Sequence, residues 1–289
     1  MAAFSLSKVE NAFSALIENL ENQQDVLFIP QLSKLRKNYP MMHYHTFPEL
    51  FLQISANDLF VFPNEKKMIL PGSACLVPRG LPHKEVVEKE KSSFENMVIR
   101  YIDDGIVIHF AKVNPEVTFP AIREYQIFYT EESYRTFQYL TDTIENFHAG
   151  FSVKHPLVKY PFLTAIHSLN RIISKTNNTE SYVHHKISLC KGMILSQLGD
   201  HGLNIKTLAK KLGISSDYLG RLFQKEAGCS LNHYIQNQRI LMARELLTKS
   251  ELDINQVCHL TGFIDPSYFT KVFKKIAQIN PKEYRKSLN

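Results

Sequence analysis

The chain has 289 residues, of which 44% are hydrophobic and 21% are charged. This length suggests two domains and leaves ample material for buried cores. The four cysteines are widely spaced and form no C-x-x-C pair, so no disulfide framework is implied and a reducing cytoplasm fits. No segment approaches the run of about 18 apolar residues that a transmembrane helix needs.

The positive charge is concentrated in the last third of the chain. The formal net charge of the whole chain is +6. Residues 184–289 hold 16 Lys and Arg but only 8 Asp and Glu, whereas residues 1–183 hold 18 and 20. A near-neutral front and a basic back fit a sensor joined to a domain that binds a polyanion.

The chain begins with a predicted amphipathic helix, which is followed by a region of short strands. Acidic residues interrupt the N-terminal segment, and it lacks the basic stretch and apolar block of a signal peptide. Between Asp25 and Pro120, short β-rich runs alternate with Pro, Asn and Gly, as expected for a sandwich or a barrel. These runs read VLFI, ELFLQIS, LFVF, KMIL, ACLVP, ENMVIRYI and GIVIHF.

Two motifs that contain histidine stand inside this strand region. The first is His43-Tyr44-His45 followed by Glu49, and the second begins at Pro71-Gly72, continues at Pro78 and ends at His83. In a strand, His43 and His45 point to the same side. The two motifs are similar to those of the cupin barrel, including the five-residue gap between Gly72 and Pro78. The resemblance implies a β-barrel in which Glu49 and His83 lie near the other two histidines.

Three histidines and one carboxylate suit a divalent metal such as Mn, Fe, Ni or Zn. One departure counts against a metal, because Val87 stands where the second cupin motif often ends in Asn. The same side chains can instead line a pocket or play only a structural role. We therefore predict no cofactor and an effector pocket near His43, His45, Glu49 and His83, with a metal at these residues as the alternative.

Two helices are predicted between the strands and the basic region. Residues 131–149 carry apolar side chains on one face, and residues 156–174 carry them on more than one stripe. The second helix can therefore contact a second subunit, or it can be buried wholly within one chain. A polar segment without periodicity follows Lys175 and is the predicted linker. The predicted boundaries are 1–175 for the first domain, 176–184 for the linker and 185–289 for the second domain.

The second domain is predicted to contain two helix-turn-helix units. In the first unit a short helix follows Asn204 and ends at Gly213, and Ser215 caps a helix over 216–226. Gly220 lies inside that helix, where glycine costs about 1 kcal/mol relative to alanine. Close approach of the backbone to DNA could compensate for this cost, and simple tolerance is an equally good explanation.

The second unit lies between Ile254 and Tyr284. A short helix is followed by a turn at Gly262, and Asp265-Pro266 starts another helix. The Asp oxygen caps free N–H groups, and Pro has no N–H to lose. One face of the helix is apolar, and the other is a stripe of hydrogen-bond donors and cations. The major groove of DNA accepts a helix of this kind.

One longer predicted helix, over 231–247, joins the two units. Arg239 and Arg244 lie along it, and either can pair with an acidic residue on a helix face. Two recognition helices on a fixed connector can enter successive major grooves about 34 Å apart on one face of a duplex.

The last hundred residues resemble the C-terminal signature of AraC/XylS-family transcription regulators. The matching segments are the Ile and Val of INQVC, the GF pair, the DPSYFTKVFKK run, and PKEYR from Pro281 to Arg285. The resemblance implies a sensor at the N-terminus and favours dimerisation through the helical middle. We therefore predict an α+β fold: a cupin-like N-terminal β-barrel with a helical dimerisation segment, and a C-terminal all-α domain with two helix-turn-helix units.

The predicted DNA contacts lie on the outer faces of the two recognition helices. Arg221 can contact guanine through two hydrogen bonds, and the alternative for this residue is an ion pair with Asp217. Ser267 and Thr270 can contact base edges, whereas the lysines suit phosphate. The predicted set is Ser216, Asp217, Gly220, Arg221, Gln224, Lys225, Asp265, Ser267, Tyr268, Thr270, Lys271, Lys274 and Lys275, with Lys210 and Lys211 of the supporting helix as further phosphate contacts.

These observations predict a sequence-specific transcription regulator, an activator and not an enzyme, in the cytoplasm. Its predicted partners are double-stranded DNA, a small-molecule effector, RNA polymerase and a second copy of the chain, without a membrane. One alternative is a cupin metalloprotein or enzyme that carries a DNA-binding domain. Two others are an effector-free regulator controlled by a protein partner and an architectural DNA binder of low specificity.

Overall fold

The computed structural model describes residues 4–22, 24–32, 42, 45, 47–86, 94–102, 105–113, 120–130, 132–175 and 182–287. They form two compact units. The sheet unit comprises the strands and helices up to residue 175, and the helical unit comprises the helices from residue 182 onward. Among these residues, no helix is both long enough and apolar enough to cross a membrane.

The sheet unit contains three helices and nine strands within the described part of the chain. Its helices are α1 (Leu6–Glu21), α2 (Ser133–His148) and α3 (Pro156–Lys175). Its strands are β1 (Leu27–Phe28), β2 (Glu49–Ser55), β3 (Asp58–Val61), β4 (Lys66–Ile69), β5 (Ala74–Val77), β6 (Lys84–Val86), β7 (Glu95–Ile102), β8 (Gly105–Val113) and β9 (Pro120–Tyr129). Each β-rich run of the sequence contains a strand, and β6 and β9 are strands that the runs do not predict.

The strands form two sheets. The larger has six strands in the order β1-β5-β2-β7-β8-β9, and the smaller has three in the order β4-β3-β6. Neighbouring strands are antiparallel, except that β1 and β5 are parallel. The mixed α and β architecture agrees with the prediction. The described strands do not close into a single barrel, so the predicted closed cupin barrel is not seen among them.

An apolar cluster covers each face of the six-stranded sheet. On one face, α1, α2 and α3 pack against the sheet, and Phe13, Phe110 and Phe162 are fully buried there. On the other face the three-stranded sheet packs against it, with the rings of Phe51 and Phe60 4.9 Å apart. Burial of a side chain of this size contributes about 1.5–3 kcal/mol. Because both faces of β2 are buried, a register shift in this strand would expose or misplace apolar side chains.

The helical unit contains seven helices within the described residues. They are α4 (Tyr182–Ser196), α5 (Ile205–Leu212), α6 (Ser216–Ala227), α7 (Leu231–Lys249), α8 (Ile254–Leu260), α9 (Pro266–Ala277) and α10 (Pro281–Lys286). Most of these helices begin where the sequence places a capping side chain, which stabilises a helix by about 1 kcal/mol. Most of the predicted linker, residues 176–184, lies outside the described residues.

Candidate DNA-binding interface

The two predicted recognition helices, α6 and α9, begin in the same way. The hydroxyl of Ser215 accepts a hydrogen bond from the N–H of Tyr218 at 3.2 Å. The carboxylate of Asp265 accepts one from the N–H of Tyr268 at 2.8 Å. Each helix then buries one apolar face, made of Leu219, Leu222 and Phe223 in α6 and of Phe269, Val272 and Phe273 in α9.

The two helix-turn-helix units are copies of one structural plan. Before each recognition helix, a glycine with positive φ ends the preceding short helix or its turn: Gly213 at +66° and Gly262 at +83°. After each recognition helix, a second residue with positive φ ends it: Gly228 at +69° and Gln278 at +61°. Ser230 and Asn280 then cap the following helices. The chain therefore presents two equivalent helix faces, although only the second one carries the longer sequence signature.

The outer face of α6 is open to solvent. Asp217, Arg221, Gln224 and Lys225 are exposed, and Ser216 and Gly220 are partly exposed. Although Arg221 and Asp217 are both described, no ion pair joins them. The alternative interpretation of Arg221 as half of a surface ion pair therefore has no structural support. Its guanidinium remains available for an external acceptor.

Gly220 is not required by the fold of the helical unit. It lies inside α6 with an ordinary helical backbone, and an added Cβ would meet only the Cδ1 atom of Ile205, at 3.4 Å. The cost of glycine in this helix, about 1 kcal/mol relative to alanine, is therefore not offset by a contact within the chain. Both explanations that the sequence allows, close approach to DNA and simple tolerance, agree with this geometry.

The outer face of α9 carries mostly cations and hydroxyl groups. Ser267, Tyr268, Lys271, Lys274 and Lys275 are exposed. The three lysines project from a helix whose opposite side is core, so their charges face solvent. The helix begins at Asp265, and because the carboxylate of this residue acts as the cap, it is less free for the predicted DNA contact.

Two of the predicted contacts in α9 already have partners within the chain. The hydroxyl of Thr270 donates to the carbonyl of Pro266 at 2.9 Å, so its methyl group and its lone pairs are what it can offer to a base. The hydroxyl of Tyr268 accepts a hydrogen bond from the Nε2 atom of Gln236 in α7 at 2.7 Å. Tyr268 is therefore tied to the connecting helix while 50% of it remains exposed.

The supporting helix α5 adds two further cations. Lys210 and Lys211 are both exposed near its C-terminus. The Nζ atom of Lys211 donates to the Oε1 atom of Gln197 at 2.8 Å, which orients this side chain. Together with the lysines of α9, they give the helical unit a positive surface potential, which attracts the phosphate backbone of a nucleic acid.

The arginines of α7 make contacts that the sequence does not predict. The guanidinium of Arg239 donates to two backbone carbonyls, those of Leu198 at 3.0 Å and Asp200 at 2.7 Å. Burial lowers the pKa of Arg239, an effect that the nearby charge of Asp200 opposes. Arg244 donates instead to the hydroxyl of Tyr284 at 3.2 Å. The hydrogen-bond partners of both arginines are thus a backbone or a hydroxyl oxygen, whereas the sequence suggests acidic side chains.

In the sheet unit, a polar cluster surrounds Glu49 at the start of β2. Its carboxylate lies 3.2 Å from the Nε2 atom of His83 and forms an ion pair with the Nε atom of Arg100. The Nδ1 atom of His83 is 3.1 Å from the carbonyl of Leu81, which fixes the ring. Glu49 and His83 are buried. Two of the predicted pocket residues are therefore neighbours, and Arg100 is a member that sequence reasoning missed.

The other two predicted pocket residues are the histidines of the first motif. His45 is buried, and one ligand atom from each of His45, Glu49 and His83 lies within 4.8 Å of the others. His43 lies outside the described residues. The donors are of the type that a transition metal accepts. However, the guanidinium of Arg100 already neutralises the only carboxylate of the set, so this arrangement does not favour a divalent cation there.

A second buried polar cluster joins β3, β6 and β7. Asp58 and Asn96 are fully buried, and the amide of Asn96 donates to the carboxyl of Glu85. Burial raises the pKa of Asp58 to about 6, although hydrogen bonds with Glu85 and Asn96 work in the opposite direction. Burial and the neighbouring Asp58 raise the pKa of Glu85 well above its usual value. The two carboxyls therefore bind protons more tightly than exposed carboxyls do.

A cavity of about 490 Å³ opens between α1 and the end of β2. Lys8 and Asn11 of α1 form one wall, and Leu52, Gln53 and Ile54 of β2 form another. Its volume is in the range of small-molecule sites. The predicted pocket residues that the structure describes, His45, Glu49 and His83, do not line it, so the cavity and the polar cluster around Glu49 are separate places.

The part of this chain that is similar to known proteins is the helical unit. A family model described as a helix-turn-helix domain matches residues 208–287. The uncharacterized HTH-type transcriptional regulator YijO of Escherichia coli K12 is 36% identical over 84 residues, 29% of this chain and 30% of that protein. The probable transcription factor PqrA of Proteus vulgaris is 32% identical over 88 residues, 30% of this chain and 72% of PqrA.

Solved structures resemble the same part of the chain. The C-terminal domain of the two-component response regulator yesN from Fusobacterium nucleatum is 35% identical, covers 34% of this chain and 95% of that domain, and has a TM-score of 0.33. The match with YijO spans less than a third of the length of that relative. The family model spans both recognition helices, and the match to PqrA covers most of that protein. The chain therefore belongs to the AraC/XylS-type helix-turn-helix transcription regulators.

Proposed function

We propose that this protein is a sequence-specific DNA-binding transcription regulator that inserts α6 and α9 into successive major grooves of one duplex. The observation that carries the proposal is the repetition of one scaffold. Each of the two helices has a capping side chain and an apolar buried face at equivalent positions, and both expose donors and cations to solvent. Two such helices on one connector suit grooves about 34 Å apart.

The two helices would make different contacts with DNA. Arg221 in α6 would read guanine through two hydrogen bonds, and the absence of a pairing with Asp217 supports this role. Ser267 and Thr270 in α9 would contact base edges, Thr270 mainly through its methyl group. The exposed lysines would bind phosphates, which positions the protein and carries no sequence information. These lysines are Lys210, Lys211, Lys271, Lys274 and Lys275.

We further propose that the sheet unit senses a small cytoplasmic effector. The cluster supplies the buried Glu49 and His83 beside the partly buried Arg100, and the cavity beside α1 supplies a separate volume of suitable size. The two facing sheets would then correspond to an opened form of the cupin-like sensor. Any effector must bind two arrangements of the chain unequally, because otherwise the equilibrium between them does not shift.

Two parts of this proposal concern other macromolecules. The outer stripe of α3 leaves Leu157 48% and Tyr160 60% exposed, a surface that supports assembly into a homodimer. As an activator, the bound dimer would then contact RNA polymerase.

A binding experiment with the full-length protein tests the central proposal. A duplex site would first be selected from a random library and then compared with bulk DNA at physiological salt. We expect affinity for the selected site to exceed affinity for bulk DNA by a factor of about 10³ or more. A ratio near one would contradict sequence-specific regulation and favour the architectural binder.

One observation favours a second candidate, a metal-binding sensor. It is the proximity of ligand atoms in His45, Glu49 and His83. Elemental analysis of the purified protein would show whether the sheet unit binds a metal. A stoichiometric transition metal that survives dialysis, and whose removal by a chelator changes DNA affinity, would support the metal. Because Arg100 neutralises Glu49, we expect the protein to bind its selected site equally well with and without chelator.

A further inference from the structure

Arg239 connects parts of the helical unit that belong to different helix-turn-helix units. It projects from α7, the helix that joins them. Its Nε and Nη2 atoms donate to the carbonyls of Leu198 and Asp200, in the segment that leads from α4 into the first unit. Its guanidinium carbon also lies 5.6 Å from the ring centre of Phe263, which belongs to the turn of the second unit. One side chain thus holds both units to their connector.

The backbone makes a second connection at the same place. Gly262 in the turn of the second unit has a φ of +83°, and an added Cβ would overlap the carbonyl oxygen of Leu198 and lie 2.7 Å from the Nε atom of Arg239. From the opposite side, a Cβ added at Gly199 would lie 3.0 Å from the carbonyl oxygen of Leu260. The two backbones therefore pack directly on each other, and only glycine fits between them.

The equivalent turn of the first unit has no such junction. Gly213 has a similar φ of +66°, but nothing lies within 4 Å of an added Cβ. Gly213 therefore serves only to end α5. The close packing at Gly262 is an addition to the common plan, and it lies where the first unit, the connector and the second unit meet.

We propose that Arg239, seated against Gly262 and Phe263, is a positioning residue that fixes the separation of α6 and α9 and makes the protein selective for the spacing between its two half-sites. This inference rests on the proposed function, because spacing matters only if both helices read one duplex. Bidentate donation to two carbonyls holds the guanidinium in one orientation, and the aromatic ring beneath it limits rotation. The two helices then move as one body.

The test measures spacing selectivity with the full-length protein. The probe is the duplex selected from a random library, together with versions that have one base pair inserted or removed between the half-sites. We expect the wild-type protein to lose affinity for the altered spacings by about tenfold or more, because each changed base pair rotates one groove away from its helix. Arg239→Gln should bind the original site more weakly, but its affinities for the three spacings should lie within about threefold of one another.

Arg244→Gln is the matched control. Arg244 lies on the same helix, carries the same charge and donates to the hydroxyl of Tyr284. It contacts neither Leu198 nor Phe263, so its replacement should preserve the wild-type ratio between spacings. Arg239→Lys, which can donate to a carbonyl but lacks the planar fork, should recover part of the ratio. General weakening of the fold would lower all affinities alike and would leave the ratio unchanged.

The outcomes separate this inference from the proposed function. The inference would be overturned if a folded Arg239→Gln protein kept the spacing ratio of the wild-type protein. It would also be overturned if the wild-type protein bound all three spacings equally well. Neither result contradicts the proposed function as a regulator. Failure of the wild-type protein to select any sequence would overturn both. If Arg239→Gln does not fold, Phe263→Leu keeps an apolar core residue and removes the ring beneath the guanidinium, a ring that also packs against Phe269. It should then reduce the spacing ratio, and an unchanged ratio would overturn the inference.

Discussion

The sheet unit and the helical unit treat their charged residues in opposite ways. The helical unit exposes cations along the outer side of α9 and at the end of α5, where they are open to a partner outside the chain. The sheet unit buries Glu49 beside Arg100 and His83, and it buries Asp58 beside Glu85. External charges suit the binding of a polyanion, whereas internal charges suit a response to a proton or a small molecule.

This difference predicts that the two units depend on different kinds of interaction. The stability of the helical unit should depend on caps and backbone packing, because the cations on the outer faces of α6 and α9 are exposed to solvent. The stability of the sheet unit should depend on pH, because the carboxyls of Asp58 and Glu85 are ionised only at a cost. Variants in each unit test this difference.

The largest expected effect is that of Gly262→Ala. The new Cβ would overlap the carbonyl of Leu198, and alanine would also be held at positive φ. We expect the free energy of unfolding of the helical unit to fall by about 3–5 kcal/mol, the sum of backbone strain and overpacking. Gly213→Ala is the matched control, since only the positive φ applies there, and it should cost about 1 kcal/mol. Urea titrations followed by circular dichroism would measure both, and equal losses would contradict the junction at Gly262.

The next largest effect is the pH dependence at Asp58. Its pKa is raised from 3.8 to about 6, so the neutral form is the one that the fold favours. The contribution of the carboxyl is therefore fully present below about pH 4 and is lost as the pH rises through 6. We expect Asp58→Asn to stabilise the sheet unit at pH 8 by about 2–3 kcal/mol and to have little effect at pH 4.

Asp217→Asn is the corresponding control in the helical unit. Asp217 is exposed in the first turn of α6, where a negative charge interacts favourably with the helix N-terminus. Its replacement should therefore give a small loss at pH 8, opposite in sign to the gain at Asp58. Thermal unfolding of both variants from pH 4 to pH 8 is the measurement. A loss of stability in Asp58→Asn at pH 8 would show that the buried carboxyl is stabilising and would remove the contrast.

The helical unit was predictable because its determinants are local in the sequence. A helix over 216–226 and another from Asp265-Pro266 were expected, and they are observed over Ser216–Ala227 and Pro266–Ala277. Capping residues, apolar spacing and turn glycines lie within a few residues of the element that they define. The hydrogen bonds of Arg239 were not predictable, because their acceptors are backbone carbonyls about forty residues earlier in the chain.

The sheet unit was predictable in its strands but not in its buried polar groups. Pairing of β2 with β7 places Leu50 opposite Ile99 and so brings the neighbouring Glu49 and Arg100 together. Nothing near either residue in the sequence indicates this pairing. The same is true of Asp58 and Glu85, which sit on paired strands and read locally as ordinary polar residues at the ends of strands. Strand β9 was missed because its polar side chains conceal an edge strand that pairs with β8 along its length.

Arg221→Ala should have an intermediate effect, and one confined to DNA binding. We expect it to cost about 1–3 kcal/mol of affinity for the selected duplex and to relax discrimination at one base pair. The stability of the helical unit should not change, because the side chain is exposed and forms no ion pair with Asp217. Fluorescence anisotropy over a panel of single-base variants would measure both affinity and discrimination. Full retention of discrimination at every position would contradict base reading by this residue.

The smallest expected effect is that of Lys271→Ala. Lys271 occupies the position in α9 that Arg221 occupies in α6, yet a lysine suits a phosphate better than a base edge. Its replacement should lower affinity for all sequences alike, by about 1 kcal/mol or less, and reduce the slope of log affinity against log salt by about one. The same anisotropy panel, repeated at several salt concentrations, separates the two residues. If Lys271→Ala left both affinity and salt slope unchanged, α9 would not lie in a groove, and two equivalent faces would not mean two bound helices.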